Sequence, residues 1–295
     1  MIITNVFGGL GNQMFQYAAG RSLALRTGSE LRLDYGDWGA NRHAQHNGFE
    51  LPRIFSLPTE LASAEESKKV LGLQANFYLR RIFKNRRMAK LRTRSFVVEP
   101  HYHYWPEFER IGAPAYLHGF WQSERYFDEV SDRIRADFAF KEPDSDENRA
   151  WLSKMRSTRS VSLHVRRGDY VSNTAASQYH GTCSPAYYSA AVDYIARREP
   201  DAELFVFSDD IEWARSNLDL KLPAHYIFNN SGPSSYVDMQ LMSNCAHNII
   251  ANSSFSWWGA WLNFNKDKIV VSPSRWFADQ RVQAGDLYPP GFVRI

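Results

Sequence analysis

Short apolar runs and amphipathic stretches take turns along this chain, and their periods, about 2 and about 3.6 residues, predict alternating strands and helices. Ile2 to Val6 reads as a buried strand running into the glycine turn Phe7-Gly8-Gly9-Leu10-Gly11-Asn12-Gln13. A helix follows from Met14 to Arg26, with Met14, Ala18 and Leu25 on its apolar stripe. Glu30 to Tyr35 alternates as a second strand, with Leu31 and Leu33 opposite Arg32 and Asp34. Further along, residues 76 to 94 predict an amphipathic helix, Phe96 to Glu99 a strand, and Tyr126 to Phe140 another helix.

The second half is more regular. Strands are predicted at Val161 to Val165, Glu203 to Phe207, His225 to Phe228, Asn248 to Ala251 and Lys268 to Val271. Between them, Ser184 caps a helix with Pro185 at its first position, Ser208-Asp209-Asp210 caps a second, and Ser235 with Asp238 spells a capping box for a third. Strands that alternate with helices imply a parallel, doubly wound sheet. The acidic, proline-containing segment Lys141 to Glu147 is the expected linker, so the chain divides into residues 1–143 and 144–295. A length of 295 residues suits two domains of ordinary size.

Composition adds little until its distribution is considered. The chain is 44% hydrophobic and 23% charged, as a globular protein is, and its 15% of aromatic residues can either line a cleft or fill a core. A net charge of +3 is too small to argue for nucleic acid, but residues 76 to 94 hold eight Lys or Arg and no acid. Such a basic amphipathic stretch is either a solvated helix covering its domain or a peripheral membrane contact. Cys183 and Cys245 make neither a disulfide framework nor a metal motif, and no long apolar run is present, so a reduced, cytoplasmic protein is expected, at the inner face of the membrane if residues 76–94 touch it.

The chemistry concentrates in Ser162-Leu163-His164-Val165-Arg166-Arg167-Gly168-Asp169-Tyr170. A buried strand does not accept that charge in its middle. It is expected to end here and deliver His164 and Arg166, on one face by strand alternation, to a crevice at its carboxyl end. Two more polar clusters fall at strand ends: Ser208 to Asp210, and Asn252-Ser253-Ser254-Phe255-Ser256, which opens a helix. A helix amino terminus with free N–H groups binds anions, and opposite Arg166 it would complete a clamp for a diphosphate. The glycine turn, with Gly9, Gly11 and Asn12, lacks the Lys-Ser/Thr of a P-loop and the third glycine of a dinucleotide fingerprint. His101 and His103 resemble a metal pair without further ligands at zinc-like spacing, and Asp144 and Asp146 stand before a helix, where capping explains them better than metal binding.

These residues resemble a known family. His164-Val165-Arg166-Arg167-Gly168-Asp169 is similar to the His-x-Arg-Arg-x-Asp motif of the α1,2-, α1,6- and protein O-fucosyltransferase superfamily. Gly8 to Ala18, Phe207-Ser208-Asp209-Asp210 and Ala251 to Ala260 narrow the resemblance to the bacterial type of α1,2-fucosyltransferase, glycosyltransferase family 11. The resemblance implies an α/β, GT-B-like fold of two Rossmann-type domains facing across a cleft, the first on the acceptor side and the second for the donor. It implies inverting transfer of fucose from GDP-fucose to the 2-hydroxyl of a terminal galactose on a glycan, with no metal and no cofactor. By that similarity Arg166 meets the β-phosphate, with Arg167, Gly9 and Gly11 also on the donor side. His164 lies by the ribose or guanine, Ser253, Ser254 and Phe255 meet phosphate and ribose, and Asp209 or Asp210 contacts guanine. Asn12 lies near the fucose and the leaving oxygen, and Asp169 is either catalytic or an ion-pair partner for Arg167. A permanently charged, bidentate guanidinium can stabilise a departing diphosphate in place of a metal ion.

No motif identifies a general base, and Asp34, Asp37, His43, His46 and Asp169 all stand open for it. Two competing readings remain: a transferase of the same superfamily making another linkage, and a non-catalytic nucleotide or glycan binder. A nucleic-acid reader built on residues 76–94 would require steeply salt-dependent binding and is not the expectation.

Overall fold

The computed structural model describes residues 1–36, 47–168, 181–279 and 281–295. The chain forms two units, Met1–Ala139 with Gly285–Leu287, and Phe140–Ala284 with Tyr288–Ile295. The division falls before the predicted linker, which packs onto the second unit: Lys141 O accepts from Gln240 Nε2 at 2.6 Å, and Phe140 stacks on Tyr236. The return of Gly285–Leu287 to the first unit was not expected from a contiguous division. Asp286 fastens it there, accepting from the Tyr104 N–H at 3.0 Å and pairing with Arg125 at 3.2 Å.

In the first unit the elements are β1 (Ile2–Asn5), α1 (Leu10–Arg26), β2 (Leu31–Asp34), α2 (Leu51–Ile54), β3 (Glu60–Leu61), α3 (Ala64–Leu71), α4 (Phe77–Phe83), β4 (Phe96–Val98), β5 (Ala115–His118) and α5 (Ser131–Asp137). The strands form a parallel sheet in the order β3-β2-β1-β5-β4. Ile3, Phe96 and Tyr116 point to one face and meet Val70 and Leu71 of α3, while α1 packs against β1.

Three sequence expectations change here. The helix expected from Met14 starts at Leu10, since the Gly9 carbonyl already accepts from the Asn12 and Gln13 N–H groups. The helix expected over residues 76–94 is α4 followed by a 3-10 turn at Arg86–Leu91, because Asn85 offers its side chain to the Arg87 N–H and starts a new turn. The Tyr126–Phe140 helix shrinks to α5 after two short 3-10 turns.

The second unit comprises α6 (Asp146–Ser157), β6 (Ser160–Val165), α7 (Pro185–Ala196), β7 (Glu203–Ser208), α8 (Ile211–Asn217), β8 (Ala224–Ile227), α9 (Tyr236–Ser243), β9 (His247–Ile249), α10 (Ser254–Trp261), β10 (Val270–Ser272) and β11 (Phe292–Arg294). All paired strands are parallel, in the order β11-β10-β9-β6-β7-β8. Strand alternation sends Leu204 and Val206 to a core with Tyr188, Val192 and Ile195 of α7, and Phe205 and Phe207 to a second core with Leu152 of α6 and Leu241 of α9. Both faces are therefore covered, which is why β7 reads as a continuous apolar run, Leu204 to Phe207, and why even the polar Ser160, Ser162 and His164 of β6 are buried. This is the α/β, doubly wound sheet expected. The Ser235–Asp238 capping box does not form. The Asp238 carboxyl instead accepts from Asn230 Nδ2 at 2.7 Å.

Candidate functional site

Counted from β6, the second sheet runs third-second-first-fourth-fifth-sixth, so the chain reverses its direction of travel between β6 and β9. Strand ends diverge at such a reversal, and the crevice beyond their carboxyl ends is where open α/β sheets bind ligands. His164, Val165 and Arg166 close β6, and Asn252-Ser253-Ser254 follow β9. The His164 ring lies 5.9 Å from that of Phe255, which places the end of β6 beside the amino end of α10.

Arg166 is partly exposed, 30% by side chain, and its Nη1 lies 3.0 Å from Asp209 Oδ2 at the end of β7. The other oxygen of Asp209 accepts from the Arg167 N–H at 2.8 Å. Gly168 is packed so closely on this carboxylate that a Cβ there would sit 2.7 Å from Asp209 Oδ2. Arg167 turns away from Arg166. It pairs with Asp210 at 3.3 Å and lies 3.8 Å over the Trp213 ring. Asp210 also caps α8 by accepting from the Trp213 N–H. Both carboxylates, expected on the guanine side, thus hold the two arginines, and among the described residues Arg167 pairs with Asp210. Asp169 lies outside the described residues.

His164 is buried, and its Nδ1 has no hydrogen-bond partner among the described residues. Burial pushes its pKa down to about 4, Arg166 adds to that, and Asp209 opposes it. A neutral imidazole therefore stands beside one guanidinium, and the site carries a hydrogen-bonding group rather than a second cation. At the start of α10, Ser253 is buried and its hydroxyl caps the helix by accepting from the Phe255 N–H at 3.3 Å. Ser254 and Phe255 are half-buried, and Trp257, Trp258 and Trp261 anchor the helix behind them. Asn252 is buried, and its amide ties the carbonyls of Gly181 and Trp276.

The glycine turn belongs to the first unit, at the carboxyl end of β1. Gly8 has φ +79°, and a Cβ there would meet Asn12 Nδ2 at 2.7 Å. Asn12 sits in the first turn of α1, and its Oδ1 accepts from Gln122 Nε2 at 2.7 Å. Gly9 caps that helix and Gly11 is buried within it. Gln13, beside Asn12 in the same turn, is fully buried and bonds the Gly8 and Gly48 carbonyls and the Glu50 N–H.

Gln122 was not singled out from sequence, and neither was Glu99, which governs it. The Glu99 carboxylate accepts from the Phe120 N–H at 2.6 Å and the Trp121 N–H at 3.0 Å, and Trp121 is a fully buried residue with φ +55°. Such a backbone disfavours any side chain, so the two hydrogen bonds to Glu99 hold the bend that delivers Gln122. The sequence signal was only a strand followed by Gly119-Phe120-Trp121-Gln122.

Of the open general-base residues, Asp34 is accounted for structurally. It accepts from Arg80 at 3.3 Å, from the Tyr116 hydroxyl and from the Gly36 N–H at 2.8 Å. Asp37, His43 and His46 lie outside the described residues. His101 and His103 stack on each other, and His101 Nδ1 meets its neighbour's carbonyl at 2.9 Å. Among the described residues no group of three or more His, Cys, Asp or Glu is placed to hold a metal ion. Ser145 caps α6 and Asp146 pairs with Arg149, as capping predicts.

Comparison with known proteins adds family relationships to this geometry. The sequence profile of glycosyl transferase family 11 matches residues 51–295. An α-1,2-colitosyltransferase of Escherichia coli is 37% identical over 302 aligned residues, covering 100% of this chain and 99% of its own. A galactoside α-(1,2)-fucosyltransferase 1 of Leontocebus fuscicollis is 30% identical over 166 residues, 53% of this chain and 45% of its own. The crystal structure of NodZ α-1,6-fucosyltransferase soaked with GDP-fucose shares the fold, GT-B-like, with a TM-score of 0.52 over 88% of this chain and 91% of that one at 15% identity.

Proposed function

This chain belongs to glycosyl transferase family 11, and on that premise we propose that it moves fucose from GDP-fucose to the 2-hydroxyl of a terminal galactose on a glycan, with inversion. Its relatives establish a glycosyltransferase of the α-1,2-fucosyl and colitosyl kind; the donor sugar and the acceptor are part of the proposal. The observation that carries it is Arg166, fixed by Asp209 at the reversal point of a doubly wound sheet and two residues beyond His164, whose ring meets that of Phe255 at the amino end of α10. A diphosphate seated there gains a guanidinium on one side and the N–H groups of the first turn of α10 on the other.

In the proposed reaction the acceptor oxygen bonds to the anomeric carbon as the bond to the β-phosphate oxygen breaks, and the electron pair leaves with GDP. Arg166 meets that growing charge, so the reading requires no metal ion. Neutral His164 offers its unpartnered Nδ1 to a hydroxyl or base edge of the nucleoside. The second unit is thereby the donor unit. The first unit is assigned to the acceptor side on the strength of Asn12 and Gln122 at the carboxyl end of β1. The hydroxyl proton passes late to solvent or to a base drawn from Asp37, His43, His46 or Asp169. Cys183 and Cys245 are unpaired thiols, which fits a reducing compartment, and we place the protein in the cytoplasm.

One observation favours a second donor. The full-length relative from Escherichia coli is a colitosyltransferase, and colitose is fucose without its 3-hydroxyl. The deciding experiment offers GDP-fucose and GDP-colitose in competition, with galactose-ended acceptors, and reads the product linkage by NMR. Preferential transfer of fucose in α1,2 linkage is expected. Transfer of colitose alone moves the chain to the second reading, and no transfer of either overturns both. A parallel assay after exhaustive chelation is expected to retain turnover, and its loss with recovery on adding manganese would overturn the metal-free step.

A further inference from the structure

From Ser67 to Val98 the chain contains no Asp or Glu. It folds back on itself as a single surface feature: Gln74 Nε2 donates to the Leu91 carbonyl at 3.1 Å, and Arg92 donates to the carbonyls of Phe83 and Lys84. Its inner side is already packed against the first unit. Val70 and Leu71 pack on Ile3 and Tyr116, and Arg80 is buried against Asp34. What remains faces outward and is of two kinds. Leu73 is 84% exposed, Tyr78 75%, Leu91 63% and Ile82 53%, with Tyr78 and Ile82 one helical turn apart. Arg81, Arg86, Arg87, Lys90 and Arg94 are exposed among them. Six of the ten exposed large hydrophobic side chains among the described residues fall between Leu73 and Leu91. A solvated covering helix would not collect them, since exposed apolar side chains ordinarily scatter singly.

We propose that residues 73–94 form a docking surface for an anionic lipid membrane, the cations meeting headgroup phosphates while Leu73, Tyr78, Ile82 and Leu91 enter the interface. Charge complementarity selects the partner. A second copy of the chain would present the same unbroken positive charge, so a self-complementary contact through this face is repulsive. A nucleic acid would engage the cations but leave the aliphatic side chains in water, with nothing to insert between. A lipid interface takes both kinds of side chain together. Among the described residues no helix is long and apolar enough to cross a membrane, so the contact is peripheral. This surface does not depend on the transferase reading.

The test is co-sedimentation of the whole chain with vesicles of phosphatidylcholine alone and with about 30% phosphatidylglycerol, the anionic lipid supplying the surface potential. Binding to the anionic vesicles and little to the neutral ones is expected. The variants Arg86→Glu with Arg87→Glu, and Tyr78→Ser with Ile82→Ser, should each weaken it by at least about tenfold while leaving the thermal unfolding midpoint unchanged. Equal binding of the variants and the parent would overturn the proposal. So would the absence of vesicle binding in a protein whose variants change its sedimentation coefficient, which marks a protein interface, or its retention on duplex DNA.

Discussion

The guanidinium of Arg166 lies 3.0 Å from the carboxylate of Asp209, which reaches across from the end of the adjacent strand and takes the Arg167 N–H with its other oxygen. One carboxylate thus fixes both the backbone and the side chain of the β6 terminus. A pre-aimed cation is worth more to a transition state than a mobile one, because no reorganisation is needed as charge develops.

Arg166→Ala is accordingly expected to lower kcat by roughly 100- to 1,000-fold, with Arg166→Lys recovering only part, since an ammonium lacks the planar fork. Asp209→Asn should leave the guanidinium in place but loosely held, with a loss of about tenfold in kcat/KM and a smaller change in the affinity for GDP. Steady-state kinetics with GDP inhibition constants check both. Unchanged turnover by Arg166→Ala would sink the proposed mechanism.

Burial keeps His164 neutral down to about pH 4. Its ring proton resonances should therefore not titrate between about pH 5.5 and 8, where an ordinary histidine passes its midpoint. His164→Gln, which keeps a neutral hydrogen-bonding group, is expected to retain more affinity for GDP than His164→Leu. Isothermal titration calorimetry would measure the difference.

Asn12 and Gln122 are bonded at 2.7 Å, so their substitutions should not add. Once Asn12→Ala has been made, Gln122→Ala is expected to cost little more, with a coupling energy of about 0.5–3 kcal/mol in a double-mutant cycle on kcat/KM. Additive losses would show that Gln122 does not act through Asn12.

Glu99 supplies a stability prediction. Burial lifts its pKa from 4.5 to about 7 against the pull of the Phe120 and Trp121 N–H groups, and burial likewise lifts Asp238 from 3.8 to about 7. Between the unfolded and folded values only the folded chain keeps the proton, so stability falls as pH rises through that window. His164 acts in the opposite sense below about pH 6.5, because there the unfolded chain binds the proton. The comparison that isolates Glu99, since His164 and Asp238 are common to both proteins, is the urea midpoint of Glu99→Gln against the parent between about pH 5 and 7, where the slope should flatten. The variant should also be less stable throughout by about 1–3 kcal/mol, since an amide turns its NH2 group toward one of two N–H donors.

Much of this molecule was legible in its sequence because the legible parts are local. Burial on both faces makes β7 a continuous apolar run, and Ser184 before Pro185 and Ser253 before α10 are caps whose partners lie two or three residues away. The same locality explains the misjudged helices: the Gly9 carbonyl and the Asn85 side chain each decide a helix start through local hydrogen bonds that periodicity does not register.

The sequence by itself determined the strand and helix order of the second unit through β10, though not the closing strand β11, together with the delivery of His164 and Arg166 to a strand end and the identity of the helix start that follows β9. Only the tertiary structure decided which groups hold which. Asp209 lies against Arg166, Asp34 is engaged by Arg80 and Tyr116, and Glu99 shapes the bend that brings Gln122 to Asn12. These partners lie some tens of residues or more apart, 110 in the case of Asn12 and Gln122. Periodicity reports which face a side chain takes within its own element, whereas the pairing of two polar groups depends on which elements the sheet order makes neighbours, and that order is settled by burial of the whole core.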